Sequence, residues 1–138
     1  MKKNEEIRFQ DAEIEDLREF LFDVGDSETL SRISGNIQEF QTFRWILQGK
    51  KKIGFYEYHY SEGREEAHFP GIYLSDIQKR KEDFVDDVIM KAFENASQLA
   101  AKRGAKTITI TSSRKGVIDK LSRDETCELL SASFKREL

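Results

Sequence analysis

Apolar and polar positions alternate through Ile7-Arg8-Phe9, then shift to helical spacing, with Leu17, Phe20, Leu21 and Val24 recurring between Glu15 and Val24. That switch predicts a strand followed by a helix. Asp26 or Ser27 offers a short side-chain oxygen to an orphan amide, and Leu30, Ile33, Ile37 and Phe40 supply the apolar stripe of a second helix, which Gly35 weakens. Phe43 to Leu47 and Ile53 to Tyr60 are rich in aromatic and β-branched residues around the turn Gln48-Gly49-Lys50-Lys51, a hairpin pattern. After a turn at Ser61-Glu62-Gly63-Arg64, Glu65 to Leu74 reads as a third strand of an antiparallel meander. Pro70 has no amide to donate, which confines it to an edge or a bulge. Tyr56, Tyr58 and Tyr60 share one strand face and are expected to pack against a helix or line a groove.

From about Glu82 to Arg103, Val85, Val88, Ile89, Ala92, Phe93, Ala96, Leu99 and Ala100 make one apolar face, the strongest helical signal in the chain. Lys102 and Arg103 suit the negative end of the helix dipole, and Gly104 is placed to end the helix in a left-handed conformation. Thr107-Ile108-Thr109-Ile110-Thr111 then alternates as a strand. A helix leading directly into such a strand predicts a crossover, with Ile72 to Leu74 and Ile108 to Ile110 as parallel neighbours. A short helix around Val117, Ile118 and Leu121 and one last strand around Leu129 to Phe134 complete the order β-α-α-β-β-β-α-β-α-β. The expected class is α/β (α+β): a mixed, mostly antiparallel sheet flanked by helices.

Composition narrows the function more than the fold. The 138 residues show no linker and no repeat, so residues 1–138 are expected to form a single domain. A 38% hydrophobic content can fill a core despite 36% charged residues. With 26 acidic and 23 basic side chains the net charge is -3, which disfavours nucleic-acid binding by bulk electrostatics. Cys127 is the single cysteine, so it has no intramolecular disulfide partner, and with only His59 and His68 a structural zinc site is not expected. Cys127 reads as a small core filler in a reducing, cytoplasmic protein. The charged start Met1-Lys2-Lys3-Asn4-Glu5-Glu6 leads into no apolar stretch, and no long apolar run follows elsewhere, so neither export nor a membrane span is expected. Asp86-Asp87 and Glu65-Glu66 read as surface pairs.

The element order, the stretch Ile72-Tyr73-Leu74-Ser75-Asp76-Ile77-Gln78-Lys79-Arg80-Lys81, the long helix running to Gly104 and its following strand, Lys120-Leu121 and the ending Ser133-Phe134-Lys135-Arg136-Glu137-Leu138 together resemble the GNAT superfamily of acyl-CoA-dependent N-acyltransferases. The resemblance covers nearly the whole chain. It implies acetyl-CoA docked along Ile72, Tyr73 and Leu74, with splayed fourth and fifth strands bonding the pantetheine and the pyrophosphate near Lys79, Arg80 and Lys81. In the family, glycines of an Arg/Gln-x-x-Gly-x-Gly/Ala loop let amides approach phosphate at the helix N-terminus. Laid on without gaps, the arginine position falls on Lys79 and the glycine positions on Glu82 and Phe84, so the chain resembles a divergent member lacking the glycine signature.

The chemistry the resemblance implies needs a base for an amine and an acid for a leaving thiolate. The base position falls near His68, with Glu66 on the same strand face, and these are the candidate catalytic residues. The position of the family's acidic tyrosine falls near Asp119, and 117–121 contains no tyrosine. Two functions therefore stay open. One is an acetyl-CoA-dependent N-acetyltransferase acting on an amine of a small molecule or protein; the other is a GNAT-like scaffold that has lost CoA binding and serves as a protein-interaction or regulatory module, with a protein partner or a second copy of itself.

Overall fold

The computed structural model describes residues 6–33, 41–130 and 133–138. In chain order these form β1 (Ile7–Asp11), α1 (Ile14–Val24), α2 (Ser27–Ile33), β2 (Gln41–Gln48), β3 (Lys51–Ser61), β4 (Glu66–Leu74), α3 (Glu82–Lys102), β5 (Thr107–Ile110), α4 (Lys115–Arg123), β6 (Cys127–Leu130) and β7 (Ser133–Glu137). The strands join in one sheet of order β1-β2-β3-β4-β5-β7-β6, antiparallel except where β4 meets β5. The mixed α/β class is as expected. The end of the chain differs: instead of one strand around Leu129 to Phe134 there are two, β6 and β7, paired as a hairpin with Leu129 opposite Phe134. The stretch Leu129-Leu130-Ser131-Ala132-Ser133-Phe134 carries neither glycine nor proline to mark a reversal inside it. Ile37 and Phe40, expected to extend the second helix, lie outside the described residues.

Each sheet face has its own apolar layer. Tyr56, Tyr58, Tyr60, Phe69, Ile108 and Ile110 pack against the expected face of α3, from Val85 through Phe93 to Ala100. The tyrosine stripe is core, and its hydroxyls are used: Tyr56 donates to Asn95 Oδ1 and Tyr60 donates to the Arg103 carbonyl at 3.1 Å. On the other face Phe43, Trp45, Leu47 and Phe55 hold Leu17, Leu21 and Ile33 of α1 and α2. Gly25 at φ 77° ends α1, its amide reaching back to the carbonyls of Leu21 and Phe22. Arg136 fastens β7 to the outside of α3, its guanidinium over the Phe93 ring and bonded to Glu94 at 2.8 Å and Asp124 at 2.6 Å. Among the described residues no helix is long and apolar enough to cross a membrane.

The parallel contact falls elsewhere than expected. β5 pairs with residues 66–69 of β4, not with Ile72 to Leu74, and β4 runs on for five more residues without a strand on that side. The reason lies in register: from Glu57 to His59 β3 takes two steps while β4 takes three, from Gly71 back to His68. The additional residue is a bulge at Phe69-Pro70, where proline has no amide for a ladder. Gly71 beside it has φ 145°, a conformation that favours glycine. The bulge bends β4 while β5 ends at Ile110, and the two strands part.

Candidate active site

The parting strands leave a cleft of about 230 Å³, walled by Phe69, Ile72 and Ile110 of the sheet, Val85 and Ile89 of α3, and the 111–114 turn. Ile72 faces this cleft. Tyr73 points to the opposite sheet face, stacked on Phe55 at 5.2 Å, and Leu74 is buried. Side chains alternate along a strand, so these three present backbone, rather than side chains, to a common edge. Burial and a hydrogen bond with Asp26 push the Tyr73 hydroxyl up to about 12, so it stays protonated at neutral pH.

Lys79, Arg80 and Lys81 come together with Gln48 and Phe84 around a hollow of about 290 Å³ at the start of α3. They are not equivalent. Lys79 and Lys81 are exposed, while Arg80 turns back, its Nε donating to the Ser75 carbonyl at 2.8 Å and its guanidinium lying over Phe84. Lys81 is the N-cap of α3 and its side chain makes no cap bond, which leaves first-turn amides available beside two exposed cations. Glu82 and Asp83 occupy the same turn and oppose an anion there.

Asp86 corrects the surface reading of its pair. It is 7% exposed and bonds Arg114 Nε at 2.7 Å, while Arg114 also reaches the Glu82 carbonyl at 3.5 Å. Gly116 makes room, since a Cβ there would strike the Asp86 carboxylate. The pair ties α3 to the start of α4 beside the cleft, and Arg114 itself lines the cleft. No sequence spacing places residues 28 apart in contact.

Glu66 and His68 lie together in a second hollow, of about 280 Å³, with His59, Ser61, Thr107, Thr109 and Lys135. His68 Nδ1 is 2.7 Å from Thr109 Oγ1, and its ring lies 6.1 Å from that of His59, its cross-strand partner. Burial, helped by His59 and opposed by Glu57, holds the His68 pKa below the usual histidine value, so the ring is neutral at pH 7. His59 Nε2 in turn meets Glu57 Oε2 at 2.9 Å. Glu57 and His59 were not singled out from the sequence; their alternation with Tyr56, Tyr58 and Tyr60 already placed them on the face away from α3. Burial pushes the Cys127 thiol up, in keeping with an unreactive side chain.

Among the described residues no group of three histidine, cysteine, aspartate or glutamate side chains could hold a metal ion. No family model matches the sequence, and no curated protein matches it. Solved structures do match. PaiA N-acetyltransferase from Thermoplasma acidophilum, in complex with coenzyme A, aligns over 96% of this chain and 99% of its own at 14% identity and a TM-score of 0.58. An aminoglycoside acetyltransferase, AAC(6')-Ib with coenzyme A and kanamycin, aligns over 96% and 95% at 11% identity and 0.66. RimL, a ribosomal L7/L12 alpha-N-protein acetyltransferase, aligns over 99% and 94% at 14% identity and 0.58. The chain has the GNAT fold along nearly its whole length.

Proposed function

We propose that this protein is an acetyl-CoA-dependent N-acetyltransferase. The observation that carries the reading is the split of β4 from β5 at a proline bulge, which opens an apolar cleft along a strand edge lacking its neighbour. The cleft suits a pantetheine arm: its walls from the sheet and α3 are apolar, and the free edge at Ile72, Tyr73 and Leu74 retains backbone groups seeking partners. Lys79 and Lys81, with the uncapped amides of α3, would hold the pyrophosphate. Acetyl-CoA would supply an activated acyl group. Structures of the same fold bound to coenzyme A support this assignment.

On the opposite sheet face, His68 is held neutral and is therefore able to relay a proton from the acceptor amine, with Glu66 at the same hollow. Thr109 fixes the imidazole through Nδ1. Aminoglycosides and protein N-termini, the acceptors of the solved relatives, frame the acceptor as an amine of a small molecule or a protein. A cytoplasmic setting accords with this chemistry.

The second reading, a scaffold that no longer binds CoA and works through a protein partner, is favoured by Glu82 and Phe84 in the first turn of α3 and by the Asp86–Arg114 tie beside the cleft. Calorimetric titration with acetyl-CoA and with CoA separates the two. Micromolar binding that weakens at least tenfold, about 1.4 kcal/mol, when Lys79, Arg80 and Lys81 are changed together to alanine supports the transferase. Absence of binding at millimolar ligand refutes it, and unchanged affinity in the triple variant refutes the pyrophosphate placement.

A further inference from the structure

A third hollow, of about 220 Å³, opens on the sheet face opposite the cleft. The two hollows share Pro70, Gly71 and Ile72, one approaching the bulge of β4 from each side. Glu57 stands opposite Gly71 in the ladder, and because directly opposed residues share a face, the missing side chain of Gly71 leaves open space over the carboxylate. Glu57 is 15% exposed, and its two oxygens have unequal surroundings. His59 Nε2 at 2.9 Å and Gln41 Nε2 at 3.3 Å both engage Oε2. Among the described residues Oε1 meets only the exposed Arg32, at a loose 3.8 Å, which also lines the hollow. Phe55 and Tyr73, stacked on each other, form an aromatic wall beside it.

The geometry points to Glu57 as the group that receives the acceptor ammonium and takes its proton, with His59 as the positioning residue. This rests on the transferase reading and adds to it the first contact of the acceptor. A primary ammonium on a short apolar or flat arm fits the hollow: charge meets Oε1, and the arm lies along the rings, where a cation is also attracted to their faces. One proton passes from nitrogen to Oε1. The lone pair so freed forms the C–N bond as the thioester C–S bond breaks, and the second amine proton leaves with the sulfur. His59 holds Oε2 so that Oε1 faces the amine, and His68, 6.1 Å further along the same face, stands next in line for the proton. Among the described residues, Arg32, His59, His68 and Tyr73 are the charged or titratable side chains whose positions bear on Glu57 or its hollow from α2, β3 and β4.

The test uses the full chain and phenethylamine as probe, with 2-phenylethanol as its uncharged counterpart, followed by amide resonances in solution. The expected result is saturable shifts at Glu57, Gly71 and Tyr73 with the amine, absent with the alcohol, lost in Glu57→Gln and retained in the distant control Glu125→Gln. Equal shifts with the alcohol, retention in Glu57→Gln, shifts centred on Glu66 and His68 instead, or no shift at all would overturn the proposal. This titration contains no CoA, so its outcome is independent of the calorimetry that tests the transferase reading. Where acetyl-CoA is turned over with the amine, Glu57→Gln should lower kcat by about 100-fold or more, the usual contribution of a positioned base. His59→Gln should keep most of the rate and displace the acidic limb of the pH profile, which a purely structural role would not do.

Discussion

Replacing Gly116 by alanine sets two effects against each other. Alanine is the better helix former, worth up to about 1 kcal/mol within a helix and less this close to an end. Against it stands the Asp86 carboxylate, which occupies the space a Cβ would need. Asp86 is short and clamped by Arg114 at 2.7 Å, so it cannot step aside without giving up that bond. A hydrogen bond between charged groups contributes about 1.5–3 kcal/mol, and the lower end applies because the Arg114 side chain is 33% exposed and partly screened. Leaving a buried carboxylate unpaired adds to the loss, so the net expectation is destabilisation by about 1–2 kcal/mol. At this chain length that is a fall in Tm of roughly 4–8 °C. Urea unfolding of Gly116→Ala, Asp86→Ala and the double variant tests the argument. With Asp86 gone the Cβ has room, and Gly116→Ala should become stabilising. The same loss in both backgrounds, or a more stable single variant, would refute the steric account.

Two further expectations follow from the buried polar groups. Because the His68 pKa is lowered on folding, the unfolded chain binds more protons between the folded value and about 6.5, so this residue's contribution to stability is full above that window and falls as pH drops through it. Urea midpoints of wild type and His68→Gln across that range should show a shallower acid loss in the variant, and an imidazole titrating above 6.5 by NMR would contradict the burial argument. Tyr56→Phe removes the donor to Asn95 while keeping the ring contacts with Phe9 and Phe69, so the expected cost is about 1 kcal/mol in denaturant unfolding, and a loss several times larger would mean that the ring itself had moved.

Much of the fold was legible because it depends on local periodicity. The apolar stripe of α3 runs unbroken from Val85 to Ala100, and the aromatic alternation of β2, β3 and β4 assigns each side chain to a face without any knowledge of neighbours. Even Pro70 announced an irregularity, since a residue without an amide cannot sit in a regular central ladder. It did not announce that β4 is central, nor which side of it would be left bare. The β6–β7 reversal was hidden because both strands are short and no glycine or proline stands between them in the sequence to mark a turn.

The candidate site was less legible, for a reason visible in Glu57 and Asp86. Both are ordinary acidic residues in sequence, and their distinction arises from what lies opposite: a glycine across the ladder for Glu57, a glycine one helix away for Asp86. His68 was found because the family resemblance places a base near it, whereas its neutrality comes from burial and from His59 across the strand pair. Sequence by itself determined the elements, the buried faces and the likeness to an acyltransferase fold, since these follow from spacing and residue type along one segment. Only the tertiary structure decided where β4 and β5 part, what each oxygen of Glu57 meets and how α3 is tied to α4, because each depends on register and on residues brought together from distant parts of the chain.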